Sequence, residues 1–83
     1  MPPVLVIVEY KDVIPYLEAR GLLKQYQKAK QFLLAGDQYR VHFKQRQPPG
    51  SGDWSFRINK QFRAIGFFRA NGDLAITDID NHQ

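Results

Sequence analysis

From Val4 to Val8 five aliphatic residues run without a break, a short, mostly β-branched stretch that predicts a strand buried on both faces. The period then changes. Val13 to Arg20 predicts a helix, with Asp12 at the N-cap position and Gly21 as its stop; Pro15 falls in the first turn, where a missing N–H does no harm. From Leu22 to Ala35 apolar residues at 22, 23, 26, 29, 32, 33 and 34 carry the spacing of a second helix, closed by Gly36. Together the two segments predict a helical hairpin.

After Gly36 a period of two takes over. Gln38 to Lys44 alternates Tyr39, Val41 and Phe43 with Arg40, His42 and Lys44, which predicts a strand carrying three basic side chains on one face. Gln45 to Asp53 is rich in Pro, Gly and Ser and reads as a loop. In Trp54 to Asn59, Trp54, Phe56 and Ile58 share one face, and Ser55, Arg57 and Asn59 the other. Phe62 to Arg69 is apolar on both faces apart from Arg63, as an interior strand would be, and is joined to its predecessor around Asn59, Lys60 and Gln61. Asn71-Gly72 predicts a type I′ hairpin leading into a last strand, Leu74 to Ile79. The order β-α-α-β-β-β-β predicts an α+β fold, with the N-terminal strand and helical hairpin packed on a twisted, mainly antiparallel sheet of four to five strands. One domain accounts for residues 1–83, without internal repeats.

Composition narrows the class. With 43% hydrophobic and 13% aromatic residues the chain has enough apolar surface for a core, which excludes a disordered segment. No cysteine is present, so disulfides and thiolate metal sites are excluded. The Val4–Val8 run is too short for a membrane span, and neither a basic segment before it nor a small-residue cleavage site after it marks a signal peptide. A cytoplasmic protein without membrane contact is expected.

The net charge is +4, and its distribution matters more than its size. Residues 37–69 hold seven Lys and Arg against two Asp, whereas residues 70–83 hold three Asp and no Lys or Arg. A basic sheet of this kind attracts a polyanion or an acidic protein, although solvated surface cations give the same count.

The sequence lacks GxxxxGK[ST], GxGxxG, HExxH and GxSxG, and its two histidines stand forty residues apart. No metal site and no cofactor is expected. What remains is cations and hydrogen-bonding groups. Local spacing offers Arg57 and Arg63 no obvious carboxylate, and an interior strand seldom keeps a charge without a partner. Arginine grips phosphate bidentately and stays charged, and histidine moves protons near neutral pH. Tyrosines offer faces for bases; Trp54 reads first as core. Such a set suits RNA cleavage in which a ribose 2′-hydroxyl attacks its own 3′ phosphate, without metal.

The run GDWSFRINKQFRAI, from Gly52 to Ile65, resembles the RelE/ParE superfamily of bacterial type II toxins. It is most similar to the HigB branch, whose members carry a near-identical GDWS-x-RIN-x-Q-[YF]-R-[IAV] segment, and the ending IDNH is similar to that branch's terminal V-D-Y-H. The resemblance spans nearly the whole chain. It implies the toxin of a toxin–antitoxin pair, a metal-independent mRNA interferase that cleaves mRNA in the ribosomal A site and blocks translation. The implied partners are a cognate antitoxin, the ribosome and mRNA, with no small-molecule cofactor. Arg57 and Arg63 would hold the scissile phosphate, and His82, with Asp80 beside it, would stand at the terminal acid–base position. Asn81 replaces the branch's tyrosine. Lys24, Lys28, Arg40, His42, Lys44, Arg46 and Lys60 would meet RNA. The same fold hosts DNA gyrase inhibitors, and a non-catalytic binding module on it is a third reading.

Overall fold

The computed structural model describes residues 3–46, 50 and 52–81, and its seven elements follow the predicted order. They are β1 (Ile7–Glu9), α1 (Val13–Ala19), α2 (Leu23–Leu34), β2 (Lys44–Gln45), β3 (Asp53–Arg57), β4 (Phe62–Phe68) and β5 (Leu74–Asn81). The five strands form one mixed sheet in the order β1-β5-β4-β3-β2, with β1 parallel to β5 and the other neighbours antiparallel. The fold is α+β, with both helices packed against one face of the sheet.

Each helix ends because a glycine takes up a left-handed conformation that other residues rarely adopt. At Gly36, with φ +89°, the glycine N–H bonds to Leu33 C=O (3.1 Å) and the Asp37 N–H to Phe32 C=O (2.9 Å). This is a Schellman motif; the end of α1 repeats it at Gly21, with Leu22 N–H on Leu17 C=O at 2.8 Å. Asp12 occupies the N-cap position of α1, but its side chain makes no capping bond.

The core lies between the two layers. Val13 and Leu17 of α1 and Tyr26, Ala29 and Leu33 of α2 cover Phe56, Ala64, Leu74 and Ile76 of the sheet. Burial of each large apolar side chain stabilises by roughly 1.5–3 kcal/mol, which makes this interface the main source of stability. Trp54 joins it, stacked on Phe43 at 5.0 Å.

A polar tie crosses the edge of that core. Glu9 of β1 accepts from the Tyr26 hydroxyl at 2.7 Å and from Lys30 Nζ at 2.8 Å. Burial, then the hydrogen bond to Glu9 and its negative charge, push the Tyr26 hydroxyl far above the usual phenol range. Because the folded value is raised, the tie contributes fully below the unfolded-state value near pH 10 and is lost above it, by up to about 1.4 kcal/mol per pH unit. The urea-unfolding midpoint is therefore expected to fall more steeply above pH ~10 in the wild type than in Tyr26→Phe. Equal slopes would remove Tyr26 from the alkaline transition.

Three expectations are corrected. The expected strand from Val4 to Val8 is not buried on both faces, and regular pairing is limited to β1: Val4 and Ile7 are buried, but Leu5 is 79% and Val6 46% exposed. Among the described strands β1 lies at the sheet edge, with β5 as its neighbour, so it has no strand covering its outer side. The β4–β5 hairpin forms, but Gly72 has positive φ and Asn71 does not, so the turn is not type I′. Instead Gly72 N–H closes a turn onto Arg69 C=O (2.9 Å), and Arg69 N–H reaches Asp73 C=O (2.8 Å), as in a hairpin whose turn ends on a left-handed glycine. Most consequential for the site, Gln38 to Phe43 is not a strand. The chain folds back there through Phe43 N–H to Gln38 C=O (3.1 Å) and His42 N–H to Tyr39 C=O (3.2 Å), and regular pairing begins only at Lys44.

Candidate functional site

The turn between β3 and β4 sets the geometry. Asn59 Oδ1 accepts from the N–H groups of Gln61 (2.8 Å) and Phe62 (2.9 Å), and Ile58 N–H bonds to Phe62 C=O at 2.9 Å. The register that follows places Arg57 directly opposite Arg63. Like charges in that position cost stability, by a few tenths to about 1 kcal/mol. A chain that keeps such a pair breaks a local rule of sheet design, and such breaks gather at functional sites.

Arg57 is held on two sides. Its Nε donates to Asn59 C=O at 3.1 Å, and Asn59 is tied to α2 through Gln25 Oε1 at 2.7 Å. Its Nη1 lies 3.3 Å from His42 Nε2. A guanidinium only donates, so this bond requires an unprotonated Nε2 on the imidazole. His42 reaches the position from a left-handed backbone (φ 52°), the one non-glycine residue with positive φ among those described. Strain of this kind persists where the surroundings hold a side chain in place for use.

These groups meet in a cleft of about 250 Å³ on the sheet face turned away from the helices. It is lined by His42, Lys44, Ser55, Arg57, Lys60 and Arg63, and among the described residues no carboxylate lines it. Ser55 is buried. An adjoining hollow adds Gln45 and Arg46 to Lys44, Ser55 and Arg63, extending the basic surface along β2. The cleft is below the roughly 300–1,000 Å³ of typical small-molecule sites, and it is polar, which suits a compact anionic group such as a phosphodiester. The fork of two guanidiniums can take two phosphate oxygens, and the imidazole lone pair beside them can accept a proton.

The predicted residues divide into those the fold brings together and those it does not. His42, Lys44, Arg46, Arg57, Lys60 and Arg63 gather along this surface. Arg40 does not share a face with His42 and Lys44 as the alternation predicted. It pairs with Asp37 at 2.9 Å, lies over the Phe32 ring, and with Lys28 lines a separate hollow of about 180 Å³ against α2, where Arg57 also reaches. Lys24 is exposed on α2. A carboxylate does face Arg63: Asp80 is its cross-strand neighbour in β5. The two form no ion pair within 4.0 Å. His82 lies outside the described residues.

Ser55 was missed as a site residue, although the alternation that groups it with Arg57 carries the signal. The facing of Arg57 and Arg63 was also recoverable, since a turn centred on Asn59 to Gln61 pairs residues symmetrically about position 60.

The strain at His42 gives a separable test. Replacing His42 by Gly removes a left-handed penalty of about 1–2 kcal/mol and adds a chain-entropy cost of about 0.5–1 kcal/mol, so stability should hold or rise slightly. Affinity of the cleft for inorganic phosphate, read by calorimetry beside thermal melts, should hold or rise as well, because phosphate no longer competes with the imidazole for Arg57 Nη1. A marked loss of stability in that variant would show that His42 serves the fold.

Among the described residues no three His, Asp or Glu side chains gather as metal ligands, and no helix is long and apolar enough to cross a membrane. Comparison with protein families, with curated proteins and with solved structures finds no match.

Proposed function

We propose that this chain is a RelE/ParE-like toxin that cleaves mRNA on the ribosome, with the cleft around Arg57 and Arg63 as its active site. The observation that carries the reading is the direct opposition of the two arginines, with His42 Nε2 3.3 Å from Arg57 Nη1. The α+β element order and the GDWSFRINKQFRAI run support it, because both resemble that superfamily.

In the proposed reaction Arg57 and Arg63 take the non-bridging oxygens of the scissile phosphate and stabilise the charge that builds on them. Engagement of Arg57 by phosphate releases His42 Nε2, which accepts the proton of the ribose 2′-hydroxyl. The 2′-oxygen bonds to phosphorus, the bond to the 5′-oxygen breaks, and that oxygen takes up a proton, a role the resemblance gives to His82. The products are a 2′,3′-cyclic phosphate and a 5′-hydroxyl end. Lys44, Arg46 and Lys60 attract the RNA backbone, so binding weakens with salt. Lys24, Lys28 and Arg40 meet ribosomal RNA, and a cognate antitoxin of acidic character covers the basic sheet face.

The test is brief induction in cells followed by primer extension on several transcripts, with plasmid topology measured in parallel. Cuts inside translated codons support the reading. Growth arrest with intact transcripts and relaxed plasmid overturns it in favour of a gyrase inhibitor. Binding of an acidic partner without either activity leaves a non-catalytic module.

A further inference from the structure

Tyr39 is 95% exposed, whereas Tyr26, Phe43 and Phe56 are fully buried. It stands at the start of the fold-back that replaced the expected strand, and together with Gln38, His42, Phe43 and Lys44 it lines a second groove of about 340 Å³. That groove shares His42 and Lys44 with the cationic cleft, so the two are neighbours with a common wall. Its lining is mainly apolar, in contrast to the polar cleft beside it. Phe43 is fixed from below by stacking on Trp54 at 5.0 Å and by an edge contact with Phe68 at 6.2 Å. Tyr39 thus lines a groove that also holds a fixed aromatic ring, beside a cleft of cationic side chains.

The geometry points to a nucleobase as the occupant of this groove: the base next to the phosphate held by Arg57 and Arg63, stacked on the Tyr39 ring. This rests on the reading of the cationic cleft as a phosphodiester site. The joint requirement selects the ligand. An occupant must offer a flat apolar face and be linked within one or two bonds to an anion that reaches Lys44 and Arg57. A nucleotide in a single strand meets both conditions, whereas a base inside a duplex has no free face to stack. Because every base has a π-face, stacking on one ring accepts all four bases with modest preference. Tyr39 is therefore a positioning residue: it sets the phosphate against the arginines by holding its neighbour.

The test uses fluorescence anisotropy with two labelled, uncleavable 2′-O-methyl hexanucleotides of the same charge, one of uridines and one fully abasic, at low salt. Wild type, Tyr39→Ala and Tyr39→Phe are compared, with circular dichroism as a check on folding; the exposed position makes loss of fold an unexpected cause. Tyr39→Ala should bind the uridine strand about tenfold more weakly, as loss of one stacked base requires, and the abasic strand as the wild type does. Tyr39→Phe should keep wild-type affinity for both. If Tyr39→Ala binds the uridine strand as well as the wild type, or the wild type does not distinguish the two strands, the base groove is refuted while the phosphate cleft stands. If the wild type binds neither strand, both readings fall together.

Discussion

Arg63→Gln is expected to lower the cleavage rate by at least 10²–10³-fold while leaving the stability of the fold within about 1 kcal/mol, because removing one preorganised charge from a developing oxyanion costs on that order. Two facts separate the effects. Arg63 has Arg57 opposite it on one neighbouring strand and Asp80 on the other, so removing its charge relieves one repulsion and forfeits one attraction. It forms no ion pair among the described residues, and glutamine keeps much of the aliphatic stem that packs on the sheet. A structural role would predict the reverse pattern, with melting temperature falling and activity tracking it. Cleavage assays beside thermal melts distinguish the two, and Arg63→Lys adds a second arm. A lysine retains charge but not the planar fork, so it should restore only a small part of the activity.

Gly66→Ala should destabilise the protein by about 3 kcal/mol or more, since overpacking against backbone cannot relax by a rotamer change. Gly66 has no positive φ; its constraint is steric. The β4–β5 register shifts between Ile65 and Gly66, and there the two backbones approach so closely that a Cβ would collide with the Ala75 carbonyl oxygen. It would also lie 3.0 Å from the Ala75 carbonyl carbon and from Ile76 Cδ1. β5 cannot move away, because it is paired on its other side with β1 and its Leu74, Ala75 and Ile76 are buried. A small domain holds only about 5–15 kcal/mol of net stability, so this substitution should lower the melting temperature by more than 10 °C or leave the protein insoluble. Chemical denaturation gives the value directly, and a change under about 0.5 kcal/mol would mean that the two strands do not approach as described.

Much of the fold was legible because each element carried its own signal. The helices followed from apolar spacing and from Gly21 and Gly36, whose left-handed conformations do end them. β3 and β4 followed from alternation. Gln38 to Lys44 misled because its alternation is real while its backbone is taken by competing local bonds: a helix-ending motif just before it, the Asp37–Arg40 pair, and the two turn bonds within it. Ahead of Lys44, Val41 C=O still reaches β3, through Arg57 N–H at 2.7 Å. β1 misled for a different reason. Hydrophobicity marks a strand but not its place at an edge, which depends on the pairing of Ile7 with Leu74 far along the chain.

The site divides the same way. Arg57 and Arg63 were visible as charges set in apolar strands, and the turn at Asn59 contained their pairing. That His42 would join Arg57 was not legible, since it depends on one left-handed residue in a fold-back that the pattern concealed. Tyr39 was visible only as one of four tyrosines offering a face, and the fold-back is what singles it out by turning it to solvent.

The most direct measurement is to add the purified protein to ribosomes stalled with a defined codon in the A site and to map the mRNA ends by primer extension, with Arg63→Gln and mRNA without ribosomes in parallel. A cut within that codon, absent from both parallels, with a 2′,3′-cyclic phosphate on the upstream fragment, is the expected result. Intact mRNA in the presence of correctly folded wild-type protein would contradict a phosphodiester-cleaving role for the Arg57–Arg63 cleft.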